Sequence, residues 1–77
     1  MEEFRTKDIG IAAALLEEKH RLIDLDRTNP SVEFVFEDSN ELQDTLGMYL
    51  RDELQCPAQS LLLSFRKAKR LLYDYKT

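Results

Sequence analysis

Ile23-Asp24-Leu25-Asp26, then Arg27-Thr28-Asn29-Pro30-Ser31, then Val32-Glu33-Phe34-Val35-Phe36-Glu37 is the stretch whose reading decides the fold. Ile23 and Leu25 alternate with Asp24 and Asp26. Val32, Phe34 and Phe36 alternate with Glu33, Val35 and Glu37, and this period of two belongs to half-buried strands. The intervening residues have turn chemistry: Pro30 fixes one dihedral and Asn29 is able to bond its own backbone. The segment therefore reads as an antiparallel hairpin. Two strands alone are marginal, so Phe4 and Arg5 are expected to add a short third strand, or a helical layer to cover Phe34 and Phe36.

Outward from the hairpin the period becomes helical. Lys7 to about Lys19 places Ile9, Ala12, Ala13 and Leu16 on one stripe, with Thr6 as the expected N-cap and Asp8 in the first turn. Ile11 and Leu15 fall off that stripe, which predicts a helix covered on more than one side, with Ala12-Ala13-Ala14 allowing close packing. Asp38-Ser39-Asn40-Glu41 resembles a capping box with Asp38 as the cap. Leu42, Leu46, Tyr49 and Leu50 then form an amphipathic face lasting to about Leu54, and Gly47 weakens the interior of that helix. Cys56-Pro57 is expected to end it and to open a last helix from Ala58 to about Tyr73. There Leu61, Phe65, Ala68, Leu72 and Tyr75 make a short heptad-like seam, and Leu63 and Leu71 lie off it. The expectation is one α+β domain, residues 1–77, in which an antiparallel two- or three-stranded sheet is covered on one face by three helices.

The chain has 77 residues, 43% of them hydrophobic and 34% charged. That is a globular composition with a thin core, a situation often remedied by a partner chain. The single cysteine, Cys56, forms no internal disulfide, and Met1-Glu2-Glu3 lacks the basic start of an export signal. The longest apolar run, Ile11 to Leu16, is far too short to span a bilayer. A soluble cytoplasmic protein with no membrane role is expected.

The string Phe4-Arg5-Thr6-Lys7-Asp8, the alanine-rich helix, Leu25-Asp26-Arg27 and Phe34-Val35-Phe36-Glu37-Asp38-Ser39 together resemble a family of small bacterial and bacteriophage proteins, domain of unknown function 5659. The resemblance reaches to about Tyr73. It implies a small intracellular bacterial or phage protein and brings no catalytic residues. Glu18-Lys19-His20-Arg21 departs from the expected pattern, because a glycine is anticipated where the first helix stops.

Charge is divided along the chain. Residues 65–77 carry five positive charges and one negative, whereas residues 1–64 carry six positive and fourteen negative. Arg66, Lys67, Lys69 and Arg70 are expected on the side of the last helix opposite its apolar seam. Two functions follow. In the first, a non-enzymatic protein-interaction or adaptor domain, self-associating or bound to another protein, uses Leu63, Leu71, Tyr73 and Tyr75 as anchors and Arg66, Lys67 and Arg70 for orientation. In the second, a nucleic-acid accessory protein uses Arg66, Lys67, Lys69 and Arg70 to contact phosphates.

No catalytic, cofactor-binding or metal-binding residue is assigned. His20, the only histidine, lacks an evident nucleophile or orienting partner, although Glu17 could share its helical face; it reads as structural. Asp24 with Asp26, and Glu33 with Glu37, stand on common strand sides, where wetting an open sheet explains them more simply than acid–base work or cation binding. Cys56 reads as an inter-helix residue rather than a reactive thiol at a helix start. Gly10 and Gly47 do not have phosphate-loop spacing.

Overall fold

In a computed structural model, which describes residues 2–28 and 31–74, the alternating segments pair as strands. β1 (Glu3–Thr6) is followed by α1 (Ile9–Glu17), β2 (Leu22–Asp26), β3 (Glu33–Glu37), α2 (Asn40–Leu50) and α3 (Ala58–Asp74). The sheet is antiparallel with order β1-β3-β2, so the hairpin's second strand is central and the expected third strand closes its other side. Phe4 pairs with Phe36, and Thr6 and Leu25 both pair with Phe34. The proposed turn residues Asn29 and Pro30 lie outside the described residues. At the start of the connection, Asp26 accepts the amide and hydroxyl of Thr28 at 2.9 and 2.7 Å.

Phe34 and Phe36 are fully buried together with Ala12, Leu15, Leu42 and Ala68, so the core lies between β3 and the three helices. α1 packs against both α2 and α3. Its Ala12, Ala13, Ala14 and Leu15 are all buried, which is the enclosure from several sides that Ile11 and Leu15 foretold. Among the described residues, no helix is long and apolar enough to cross a membrane.

Strand β2 departs from simple alternation. A bulge sets Ile23 and Asp24 against Val35, so Leu22 rather than Ile23 packs on the core, and Ile23 is 39% exposed. An extra residue reverses which side chain faces inward, and periodicity alone does not locate it.

The helix starts also shift. Thr6 is still paired in β1, and its hydroxyl accepts the Asp8 amide; Asp8 is the N-cap of α1, accepting from Ile11 at 3.0 Å. Asp38 likewise remains tied to the sheet, donating its amide to the Glu2 carbonyl. Ser39 therefore caps α2 by accepting from Leu42, and the expected capping box does not form. α2 stops at Leu50, short of Leu54, and Leu50 is exposed whereas Thr45 is buried. Cys56-Pro57 comes after this end and immediately precedes α3, where the Pro57 carbonyl accepts the Leu61 amide at 3.0 Å.

Both short helices end in the same way. Lys19 adopts φ 66° while the amides of Lys19 and His20 bond the carbonyls of Leu16 and Leu15; Asp52 at φ 60° repeats the arrangement with Tyr49 and Met48. This is the left-handed cap that glycine usually supplies, so the missing glycine after α1 is replaced by a strained lysine rather than by a different ending.

Two glycines inside helices differ in what surrounds them. A methyl group on Gly10 would come 2.3 Å from the Tyr49 hydroxyl, whereas on Gly47 it would meet only the Arg51 guanidinium at 3.1 Å, at the far end of a long exposed side chain. Gly47→Ala is expected to stabilise the fold by about 1 kcal/mol, and Gly10→Ala to destabilise it. Lys19→Gly is expected to stabilise by roughly 0.5–1 kcal/mol through relief of the left-handed backbone. Thermal unfolding measures all three, with about 4–8 °C per kcal/mol at this size.

Candidate functional site

Helix α3 presents the chain's separated positive charge. Its inner side is narrow: Ala68 is fully buried, Leu72 packs against the core and Leu61 is half-buried. Phe65, expected in the seam beside them, is 38% exposed and sits at the margin of the contact. Ala68 is the only fully buried residue of this helix among those described.

The outer side carries Leu62, Leu63 and Tyr73, which are 55%, 62% and 60% exposed, together with exposed Arg66, Lys69 and Arg70. Spacings of four and three residues align Leu62, Arg66, Lys69 and Tyr73 along one stripe and Leu63, Arg66, Arg70 and Tyr73 along the next. Thus four of the expected interface residues, Leu63, Arg66, Arg70 and Tyr73, come together. Leu62 belongs with them and was not anticipated; its place four residues before Arg66 was the available signal. Lys67 is exposed but farther round the helix.

Leu71 does not join that face. It is half-buried and lines a groove with Leu22, Ile23 and Leu25, because it lies on the side of α3 turned toward β2. Tyr75 lies outside the described residues. Among the described residues, the salt bridges involve Arg5 and Arg51 rather than Arg66, Lys67, Lys69 or Arg70.

The other candidate groups have structural partners. His20 is carried off α1 by the turn at Lys19, and its Nε2 lies 2.9 Å from the Thr45 hydroxyl, joining the end of α1 to α2. Glu17 is not its partner: Glu17 accepts from the Ser64 hydroxyl at 2.8 Å and joins α1 to α3. Cys56 is half-buried, and burial, then Glu17 and Glu18, push its thiol up, which opposes thiolate chemistry. Among the described residues, no group of three or more histidine, cysteine or carboxylate side chains is arranged to hold a metal ion.

The open side of the sheet carries Asp24, Asp26, Glu33 and Glu37 as expected, together with Glu3 and Arg5. The Arg5 guanidinium approaches Asp26 at 2.5 Å, Glu3 at 3.2 Å and Glu33 at 3.6 Å, while Val35 is buried beneath this polar layer. Asp26 is lowered to about 2 by the Thr28 amide, the Thr28 hydroxyl and Arg5, in that order. A lowered carboxylate stabilises the fold fully above its ordinary value of 3.8, and that contribution is lost as pH falls toward about 2. Asp26→Asn should therefore flatten the stability profile between those pH values, as measured by urea unfolding at successive pH. An unchanged acid limb would contradict this assignment.

With this geometry established, comparison with known proteins adds one relation. The model of the family described as domain of unknown function (DUF5659) matches residues 1–74. The chain matches no curated protein and no solved structure. Since the match takes in all the strands and helices, the chain belongs to the DUF5659 family.

Proposed function

We propose that this domain is a non-enzymatic protein-interaction module that docks an acidic partner on the outer face of α3. The observation that carries the reading is the mixture on that face: Leu62, Leu63 and Tyr73 are exposed around Arg66, Lys69 and Arg70. Full burial of each leucine would contribute about 1.5–3 kcal/mol before the costs of association. The cations would accelerate encounter and select orientation.

The same mixture separates this reading from its rivals. A phosphate-tracking helix gains from consecutive cations but gains little from leucines among them. Two copies meeting symmetrically through α3 would bring like charges together from both chains, at an electrostatic cost. A fitting partner has carboxylates flanked by apolar residues, as on one side of an acidic amphipathic helix. From Leu63 to Tyr73 the available length is about 15 Å at 1.5 Å per residue, or roughly three turns. We take the encounter to occur in the cytoplasm, since a single cysteine without a disulfide framework suits a reducing compartment.

The test is affinity capture with the full chain, using Leu63→Ser and the double change Arg66→Glu, Arg70→Glu beside the native sequence. The expected result is an acidic protein retained by the native chain and lost from both variants while their thermal unfolding is preserved. Retention by both variants would contradict the reading. Binding of DNA or RNA, with log affinity falling by about 0.7–0.9 per phosphate contact for each tenfold rise in salt, would support the nucleic-acid alternative.

A further inference from the structure

We infer that the outer face of α3 is read in one direction: its partner sets an apolar side chain into a cleft at Gln59, Leu62, Leu63 and Arg66 and carries carboxylates onward over Arg66 and Arg70, so that a partner helix lies antiparallel to α3. The inference rests on the docking proposed above and adds to it the partner's polarity and residue spacing. Its first support is the division of α3 along its axis. Residues 58–65 hold no charged residue, whereas residues 66–74 hold four cations and one carboxylate, Asp74. Carboxylates of a segment laid along this helix therefore gain most over its C-terminal half.

The second support is the cleft itself, about 360 Å³ in volume and lined by Gln59, Leu62, Leu63 and Arg66. Both leucines are more than half exposed, and Arg66 stands where the neutral half gives way to the cationic one. By the helical period Gln59 and Arg66 point away from buried Ala68, so the cleft opens on the side opposite the core contact. Among the described residues, the ion pairs leave out Arg66, Lys67, Lys69 and Arg70, so an arriving carboxylate displaces none of the described ones.

Spacing follows from the helical rise. At about 1.5 Å per residue, Arg66 stands roughly 5 Å and Arg70 roughly 11 Å beyond the two leucines. On an antiparallel partner helix those distances place carboxylates about four and about seven residues before the apolar anchor. Dipoles set the direction. Carboxylates are favoured near a helix N-terminus, so a helix that opens with them is itself stabilised, and laid antiparallel each of its ends meets the end of α3 with opposite partial charge. The partial charge of about one half at the N-terminus of α3 draws carboxylates the other way, but four full charges outweigh it.

The test uses the isotopically labelled full chain and the capped peptide Glu-Glu-Ala-Ala-Glu-Gln-Ala-Ala-Leu-Leu-Ala-Gln-Leu-Ala, carrying a nitroxide at its N-terminal or its C-terminal end. Amide shifts are expected along α3, with the C-terminal nitroxide broadening Gln59 to Leu63 most and the N-terminal one Arg70 to Tyr73. Arg70→Glu in the chain, or glutamine for each glutamate in the peptide, should weaken binding several-fold. Binding on α3 with the two broadening patterns exchanged or alike, or undiminished by the glutamine peptide, would overturn the polarity and leave docking on α3 standing. Shifts absent at millimolar peptide, or confined to the sheet, would overturn both.

Discussion

The enclosure of α1 is the constraint on which the other features depend. Four consecutive residues, Ala12 to Leu15, are buried, and with successive side chains about 100° apart their burial is spread around the helix, while Ile9, Ile11, Leu16 and Glu17 are half-buried. A helix of nine residues is too short to persist alone, so α1 exists because the sheet, α2 and α3 close around it. Alanine makes that closure possible by keeping the helices near each other, and Gly10 beneath the Tyr49 hydroxyl extends the same economy of volume. Polar ties then fix the ends: His20 to Thr45 on one side and Glu17 to Ser64 on the other.

Once α3 is held against α1 by Ala68 and Leu72, its remaining faces are assigned. Leu71 turns toward β2, while Leu62, Leu63, Arg66, Arg70 and Tyr73 turn away from the interior. The two charged regions consequently differ in kind. On the sheet, Arg5 gathers Glu3, Asp26 and Glu33 above buried Val35, so these three carboxylates are engaged within the fold. On α3, the cations stand among exposed apolar groups, and that mixture is the observation on which the proposed docking rests.

The sheet and the long helix were legible because their signals are local and repeated. Alternation across Val32 to Glu37 needed no knowledge of the fold, and Ala58 to Asp74 follows a proline and has a sustained helical period. The third strand at Glu3–Thr6 could be inferred because a two-stranded sheet would have been marginal. What escaped reading depended on contacts between distant residues. Thr6 and Asp38 carry cap chemistry, yet their backbones are held in the sheet, passing the cap to Asp8 and Ser39. Ile23 follows the strand alternation, yet a bulge exchanges it for Leu22. At the candidate site the charged residues were readable from spacing, whereas separating Leu71 from Leu63, and recognising Leu62, required knowing which line of α3 touches the core.

The most direct measurement of this dependence is the urea unfolding free energy of Ala12→Leu. Ala12 is fully buried in the cluster that joins α1 to Phe34, Phe36, Leu42 and Ala68, so added methyl groups must force these elements apart. The account predicts a loss of about 1–3 kcal/mol, a large share of the stability of so small a domain. Stability equal to or above that of the native chain would mean that there is room beside Ala12, and would contradict the claim that close approach around α1 organises the fold.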